Sequence, residues 1–230
     1  MTTQQPFQYI LLLASLPSHP LRLFDSELSQ PVSRLQLERR LAWLTPEHAD
    51  LLARIEAVLH WSRLNDQEEA AVMRKTQGLI AHLPEGPLRE LVTWRLDLRG
   101  LIAALRRRHL DYPPPGPHDA WNVSRWNAYI RLHWQTPDFA LGSQMPWLNT
   151  VWQHLQNGEA LALEKLLLTL TWSYYVRITE RHAYDFVAVV IYVLRWDILQ
   201  RWAHYDAQKA QTRFDHLVEC GLGEYAKLFS

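Results

Sequence analysis

Glu56 and His60 stand four residues apart, a spacing that puts a carboxylate and an imidazole on one face of a helix and suits metal ligation. No second pair with convergent spacing accompanies them, and Arg63 lies close by, so no metal site is expected. His182 and Asp185, three apart, read as a hydrogen-bonded pair at a helix start. Asp185 opens the most apolar helix of the chain, and a buried carboxylate needs a partner. Arg181, one turn earlier, is the expected one, giving a structural ion pair Arg181–Asp185. Asp197 and Arg201 are spaced as an ordinary i,i+4 surface pair. Cys220 reads as a small buried hydrophobe rather than a nucleophile. The sequence has no GxSxG elbow, Walker loop, HExxH or dinucleotide fingerprint, and glycine is too scarce for a phosphate cradle. No catalytic residue, metal or organic cofactor is therefore expected.

The strongest concentration of chemistry is basic. Six arginines lie between Leu88 and His109, against Glu90 and Asp97, in a chain that is neutral as a whole. Arg106, Arg107, Arg108 and His109 end the stretch. Cations there suit the partial negative charge of a helix C-terminus. A sharper reading makes Arg95, Arg99, Arg106, Arg107 and Arg108 one contact surface for an acidic partner, since guanidinium forks bind carboxylates in pairs.

The element carrying these arginines is a helix led by Pro87. Leu91, Trp94, Leu98, Leu101 and Leu105 recur at intervals of three and four and form one face. Thr93, Asp97, Gly100, Ala104 and Arg107 form a polar or small stripe, where a second backbone could approach. Around it the sequence predicts further helices. A short one over Phe7–Leu16 is stopped by Pro17. Ser33 and Gln36 make a capping box before a helix to about Leu44. Thr45 caps the next, with Pro46 at its first position. Asp66 and Glu69 start a weaker helix up to His82. Asp111 to His118 (DYPPPGPH) is the strongest break, because successive prolines favour an extended chain. It divides an N-terminal half, 1–110, from a C-terminal half, 119–230, with 111–118 as linker. Beyond it, Asp119 is expected to cap a helix through Trp134. Pro146 begins one that Asn157-Gly158 ends. Two long helices over Glu159–Ile178 and Arg181–Trp202 follow, then an amphipathic one from Asp206 to Cys220. Asp97 to Arg107 matches Asp185 to Arg195 without gaps. A duplication would make each half a bundle built on one such helix.

Composition agrees with an all-α fold. The chain has 230 residues, few β-branched alternations, 13 prolines and 8 glycines, and abundant Leu, Ala, Arg, Glu and Gln. Eleven tryptophans point to bulky helix–helix packing or covered interfaces. Zero net charge argues against a nucleic-acid binder. A single cysteine excludes internal disulfides and fits a reducing compartment. Phe7–Leu16 lacks the basic flank and cleavage pattern of a signal peptide. The run Phe186–Leu194 is under half of what spans a bilayer. A cytoplasmic protein, peripheral to a membrane complex, is expected.

Several stretches resemble a known family. They are Tyr9–Pro17 (YILLLASLP), Leu98–Arg106 (LRGLIAALR), Asp138–Leu141 followed by Pro146-Trp147, Leu163-Glu164-Lys165 through Phe186, and Arg195–Trp202 (RWDILQRW). Together they resemble a bacterial family encoded beside components of A/V-type ATPases. Its members are similar to a shortened form of the funnel-shaped central-stalk component of those motors. Gly100 departs from the asparagine of that pattern. The resemblance implies an all-helical, non-catalytic adaptor that joins the rotating shaft to the membrane rotor ring, with shaft and ring proteins as partners. Two halves would make a smaller socket than the three bundles of the full-size stalk component. Two other readings compete. One is a soluble enzyme with His133, His154, His182 and Asp185 in a groove between the halves. The other is a general helical scaffold.

Overall fold

A computed structural model describes residues 5–24, 31–60, 69–116, 121 and 123–205. Every regular element among them is a helix: α1 (Gln5–Ala14), α2 (Arg34–Leu41), α3 (Pro46–Leu59), α4 (Glu69–His82), α5 (Pro87–His109), α6 (Asn127–Leu132), α7 (Trp147–Gln156), α8 (Ala160–Thr179) and α9 (186–205). The all-α expectation holds. No helix of the described residues is long and apolar enough to cross a membrane.

Local signals set most of the boundaries. The Gln36 amide donates to Ser33 Oγ at 3.3 Å while Gln36 Oε1 accepts from the Ser33 amide at 3.0 Å, a complete capping box. Thr45 Oγ1 caps α3 through the His48 amide at 3.3 Å, with Pro46 at N1. Gly86, at φ +140°, turns the chain into α5, and Gly158, at φ +67°, follows α7. The C-terminus of α5 closes as a Schellman motif, with the Tyr112 amide bonded to the Arg107 carbonyl and the Asp111 amide to that of Arg108. Asp111 occupies the left-handed position at φ +56°, where glycine is the usual residue.

Two boundaries differ from the sequence expectation. The helix expected from Asp119 is the six-residue α6, and residues 123–126 are not helical before it. The reason is a competing acceptor: the Arg125 amide donates to Asp97 Oδ1 at 2.9 Å instead of joining a helical ladder. The helix expected from Arg181 starts at 186, because Asp185 is its cap. Asp185 Oδ1 accepts from the Ala188 amide at 3.0 Å. Asp97 lies in mid-helix and Asp185 at a cap, so the two matched stretches occupy different structural positions. Asp66, Asp119 and the expected 206–220 helix lie outside the described residues.

Helix α5 is central. Leu91, Val92, Leu96, Leu98, Leu101, Ile102, Ala104 and Leu105 are buried, and so are Asp97 and Gly100 of the small stripe. Each leucine buried in this way is worth about 1.5–3 kcal/mol relative to an exposed one. Two apolar clusters flank it. One joins Leu91–Leu96 to α1, α3, Trp172 and Tyr175 of α8, and α9. The other joins Leu98–Leu105 to Ile130, Trp134, Phe139 and Leu141, Leu148 and Val151 of α7, and Leu163 and Leu167 of α8. The clusters therefore divide within α5 and α8, not at the Pro113–Pro115 run. Trp94 and Tyr174 stack at 3.8 Å and 7°, and Arg95 Nη1 bonds Thr171 Oγ1 at 2.9 Å, so the two shared helices are braced to each other.

Candidate functional site

The five arginines expected to share a surface do not do so. Arg95 is only 8 % exposed and lies in the interior, its guanidinium 6.0 Å from the Tyr175 ring centre. Arg95 follows Leu91 by four residues and precedes Leu98 by three, so helical spacing sets it at the edge of the apolar face, where Thr171 and Tyr175 of α8 meet it. Arg99 is half-buried and engaged. Arg106 is exposed.

Arg107 and Arg108 act on their own chain. Arg107 Nε donates to the Pro113 carbonyl at 2.8 Å, and its guanidinium lies 5.7 Å from the Tyr112 ring centre. It pins the first proline of the break to the helix it follows. Arg108 donates to the Thr136 carbonyl and, at 3.5 Å, to that of Gln135. Its guanidinium sits 4.8 Å from the Trp152 ring centre and 5.9 Å from that of Phe139. Burial holds its pKa below the ordinary guanidinium value, against the opposing pull of Asp138. Arg108 thus ties the irregular 135–145 segment to α5 and α7. Within that segment Phe139 and Ala140 are both left-handed, at φ +53° and +56°, and the Ala140 amide donates to Asp138 Oδ1 at 3.0 Å. Around the end of α5 stand exposed Leu110 and Tyr112, and on α6 Leu132 is 79 % exposed. Arg131 Nη1 reaches back to the Gly116 carbonyl at 3.4 Å. The basic end of α5 is thus a rim of bound arginines with Arg106 and His109 outermost.

Of the pairs that spacing offers, His182–Asp185 forms, while Asp185 with Arg181 and Asp197 with Arg201 give way to other partners. Asp185 pairs with His182, Oδ2 to Nδ1 at 2.6 Å, and not with the exposed Arg181; the cap geometry turns the carboxylate toward the histidine. Asp197 pairs with His60 at 2.8 Å, and Arg201 with Glu164 at 2.9 Å, so the i,i+4 pair of the sequence is split between α3 and α8. Burial pushes the Asp197 carboxyl up, and the neighbouring His60 pulls it down. Glu56 takes Arg34 at 2.8 Å, which raises the Arg34 pKa, against the effect of burial. Glu56 and His60 hence serve two different helices. Among the described residues no three His, Cys, Asp or Glu side chains are grouped to hold a metal. His133 contacts the Tyr129 carbonyl at 3.0 Å and His154 bonds Glu159 at 2.6 Å, each within its own segment.

One densely bonded polar site was not signalled by spacing. Asp97, 3 % exposed, accepts from Ser124 Oγ at 3.0 Å, the Arg125 amide at 2.9 Å, and Arg125 Nε and Nη2 at 2.7 and 2.6 Å. A carboxylate so bonded is a fixed anchor rather than a reacting group. The single hint in sequence was an acid on the small stripe of α5.

No curated protein and no solved structure matches the chain. One family model does, that of the proteins of unknown function DUF2764, over residues 88–220. The match begins in the first turn of α5 and covers Asp97 with both its partners, Arg108, α6 to α9 and more than half of the sequence, so the chain belongs to the DUF2764 family.

Proposed function

We propose that this protein is a non-catalytic helical adaptor of an A/V-type ATPase, set between the rotating shaft and the membrane rotor ring. The resemblance of Tyr9–Pro17, Leu98–Arg106 and Arg195–Trp202 to relatives of the central-stalk component supplies the machine. The observation that carries the mechanical part is bracing: α5 and α8 each pass through both apolar clusters and are joined by the Trp94–Tyr174 stack and the Arg95–Thr171 bond. Close-packed helices of this kind transmit strain rather than absorb it. The polar groups support the same reading, since Asp97, Arg107 and Arg108 hold loops against helices. The docking edge is the end of α5, where Arg106 and His109 stand outermost beside Leu110 and Tyr112.

The test is capture of purified shaft and rotor-ring proteins by the wild type, Arg106→Glu and the pair Arg106→Glu with Arg107→Glu, at two salt concentrations. Arg106→Glu should weaken capture while leaving the folding midpoint within about 0.5 kcal/mol. Added salt should weaken it further, because exposed charges are screened over about 8 Å at physiological ionic strength. Equal capture by all three proteins at both salts removes the docking edge. No capture by the wild type removes the adaptor.

A further inference from the structure

Residues 17–24 cross α8 and α9 without helix of their own. Three side chains hold their carbonyls. Tyr192 Oη donates to Pro17 at 3.0 Å, Arg195 Nη2 to Pro20 at 2.5 Å, and Trp172 Nε1 to Leu21 at 2.9 Å. Farther on, Leu23 is 3 % exposed and Phe24 meets Trp202 edge-on at 4.9 Å. At the centre of this strap is His19. Its ring stacks on Tyr192 at 4.0 Å and 21°, with Trp172 at 6.2 Å.

The chemistry of that position is unusual. Both His19 ring nitrogens are buried without a hydrogen-bond partner among the described residues, as is Nε of Arg195. A neutral imidazole carries one N–H, so one unpaired donor is already tolerated there. A protonated ring would bring a second donor and a charge beside a guanidinium. The groups facing His19 are Tyr192 and Arg195 from α9 and the uncharged Trp172 from α8. Burial first, and Arg195 second, push the imidazole down to about 3. Burial also pushes the Tyr192 hydroxyl up to about 12 and Arg195 down to about 10, so around neutral pH Tyr192 is uncharged and Arg195 is cationic.

We propose that the 17–24 strap is a proton-released latch: neutral His19 lets it close over Trp172 and Tyr192, and protonation of His19 opens it while the helices stay folded. The sign follows from linkage. In the released strap the ring is in water and titrates near its ordinary value of about 6.5. Above that pH neither state holds the proton, and the open-to-closed ratio does not change. Below it the open state binds a proton that the closed state does not. The ratio therefore rises about tenfold for each pH unit, or about 1.36 kcal/mol per unit, until the closed ring also protonates near 3. The pH at which the latch opens is thus set by how firmly it closes.

A nitroxide at position 21 reads the latch, because Leu21 is 78 % exposed and its carbonyl is one of the three held. Leu21→Cys in a Cys220→Ser background is labelled, and the ratio of mobile to immobile spectra is followed from about pH 7.5 to about 4.5, a window that spans the free-imidazole value. Far-UV circular dichroism on the same samples reports the helices. The expected result is a flat ratio down to about pH 6.5, then a rise approaching about tenfold per unit at constant helix content. His19→Phe, which keeps a stacking ring, should give a flat ratio throughout. His19→Gln is the second variant should the phenyl ring disturb packing, with the same expectation. A rise of equal slope in both variants, a flat wild-type ratio, or loss of helix without prior mobilisation of the label each overturns the latch.

Discussion

Asp97 shows how one residue can fix the course of a distant segment. Its carboxylate is 4 % exposed at the side chain while its partner Arg125 is 65 % exposed. The two members of the pair should then be unequal on mutation. Asp97→Ala removes the acceptor of the Ser124 hydroxyl, the Arg125 amide and the guanidinium together, and should cost about 3 kcal/mol. Arg125→Ala leaves the first two bonds in place and lets water reach the carboxylate, so it should cost about 1 kcal/mol. Urea midpoints of the two variants test this; equal costs would mean that the ion pair, not the loop anchor, is what matters. Sequence could not reveal the anchor, since the partners lie 27 and 28 residues away in a stretch whose pattern suggested helix. The same limit applied to Asp185. Its short-range partner His182 was legible at i,i+3, while the choice between His182 and Arg181 depended on which way the cap turned the carboxylate.

Helix ends were the most legible elements, because their chemistry is local. The Ser33–Gln36 box, the Thr45–Pro46 start and the Asn157–Gly158 stop form where the residues alone imply. The end of α5 is the exception that can be improved. Asp111 adopts the left-handed conformation with a Cβ that disfavours it. Asp111→Gly should therefore stabilise the protein by about 0.5–1 kcal/mol, seen as a higher thermal midpoint. A lower midpoint would show that the Asp111 side chain supports the turn in a way its backbone does not explain. Arg95 shows that charge alone does not place a residue at the surface. Four residues after Leu91 and three before Leu98, it borders the apolar face, and burial there follows from helical spacing. Asp97, Gly100 and Ala104 are buried on another side of α5, which the apolar stripe does not report.

At the scale of the whole molecule, the proline run looked like a domain boundary, yet the cores ignore it. Leu91 and Leu96 share a cluster with Phe186–Leu199, and Leu98–Leu105 share theirs with Leu148 and Leu163. Residues 1–110 and 119–230 expressed apart should accordingly fail to fold alone, giving helix content without a cooperative thermal transition. Mixing the two should restore one. A fragment that melts cooperatively by itself would restore the proline run as a true boundary. Nothing in the local pattern of either half predicts this dependence, because it rests on pairings between residues far apart in the chain, such as Arg95 with Thr171, 76 positions on.

The strap over α8 and α9 also constrains when, during synthesis, the protein can become itself. Pro17 and Pro20 wait for Tyr192 and Arg195, each 175 residues later. At roughly 5–20 residues per second on the ribosome, that interval lasts roughly 9–35 s. During it the apolar sides of α1, then α3 and α4, are made before there is an α9 to cover them. The nascent chain is in this respect a client for whatever shields hydrophobic surface at the tunnel exit, and residues 17–24, although made early, are among the last to find their place.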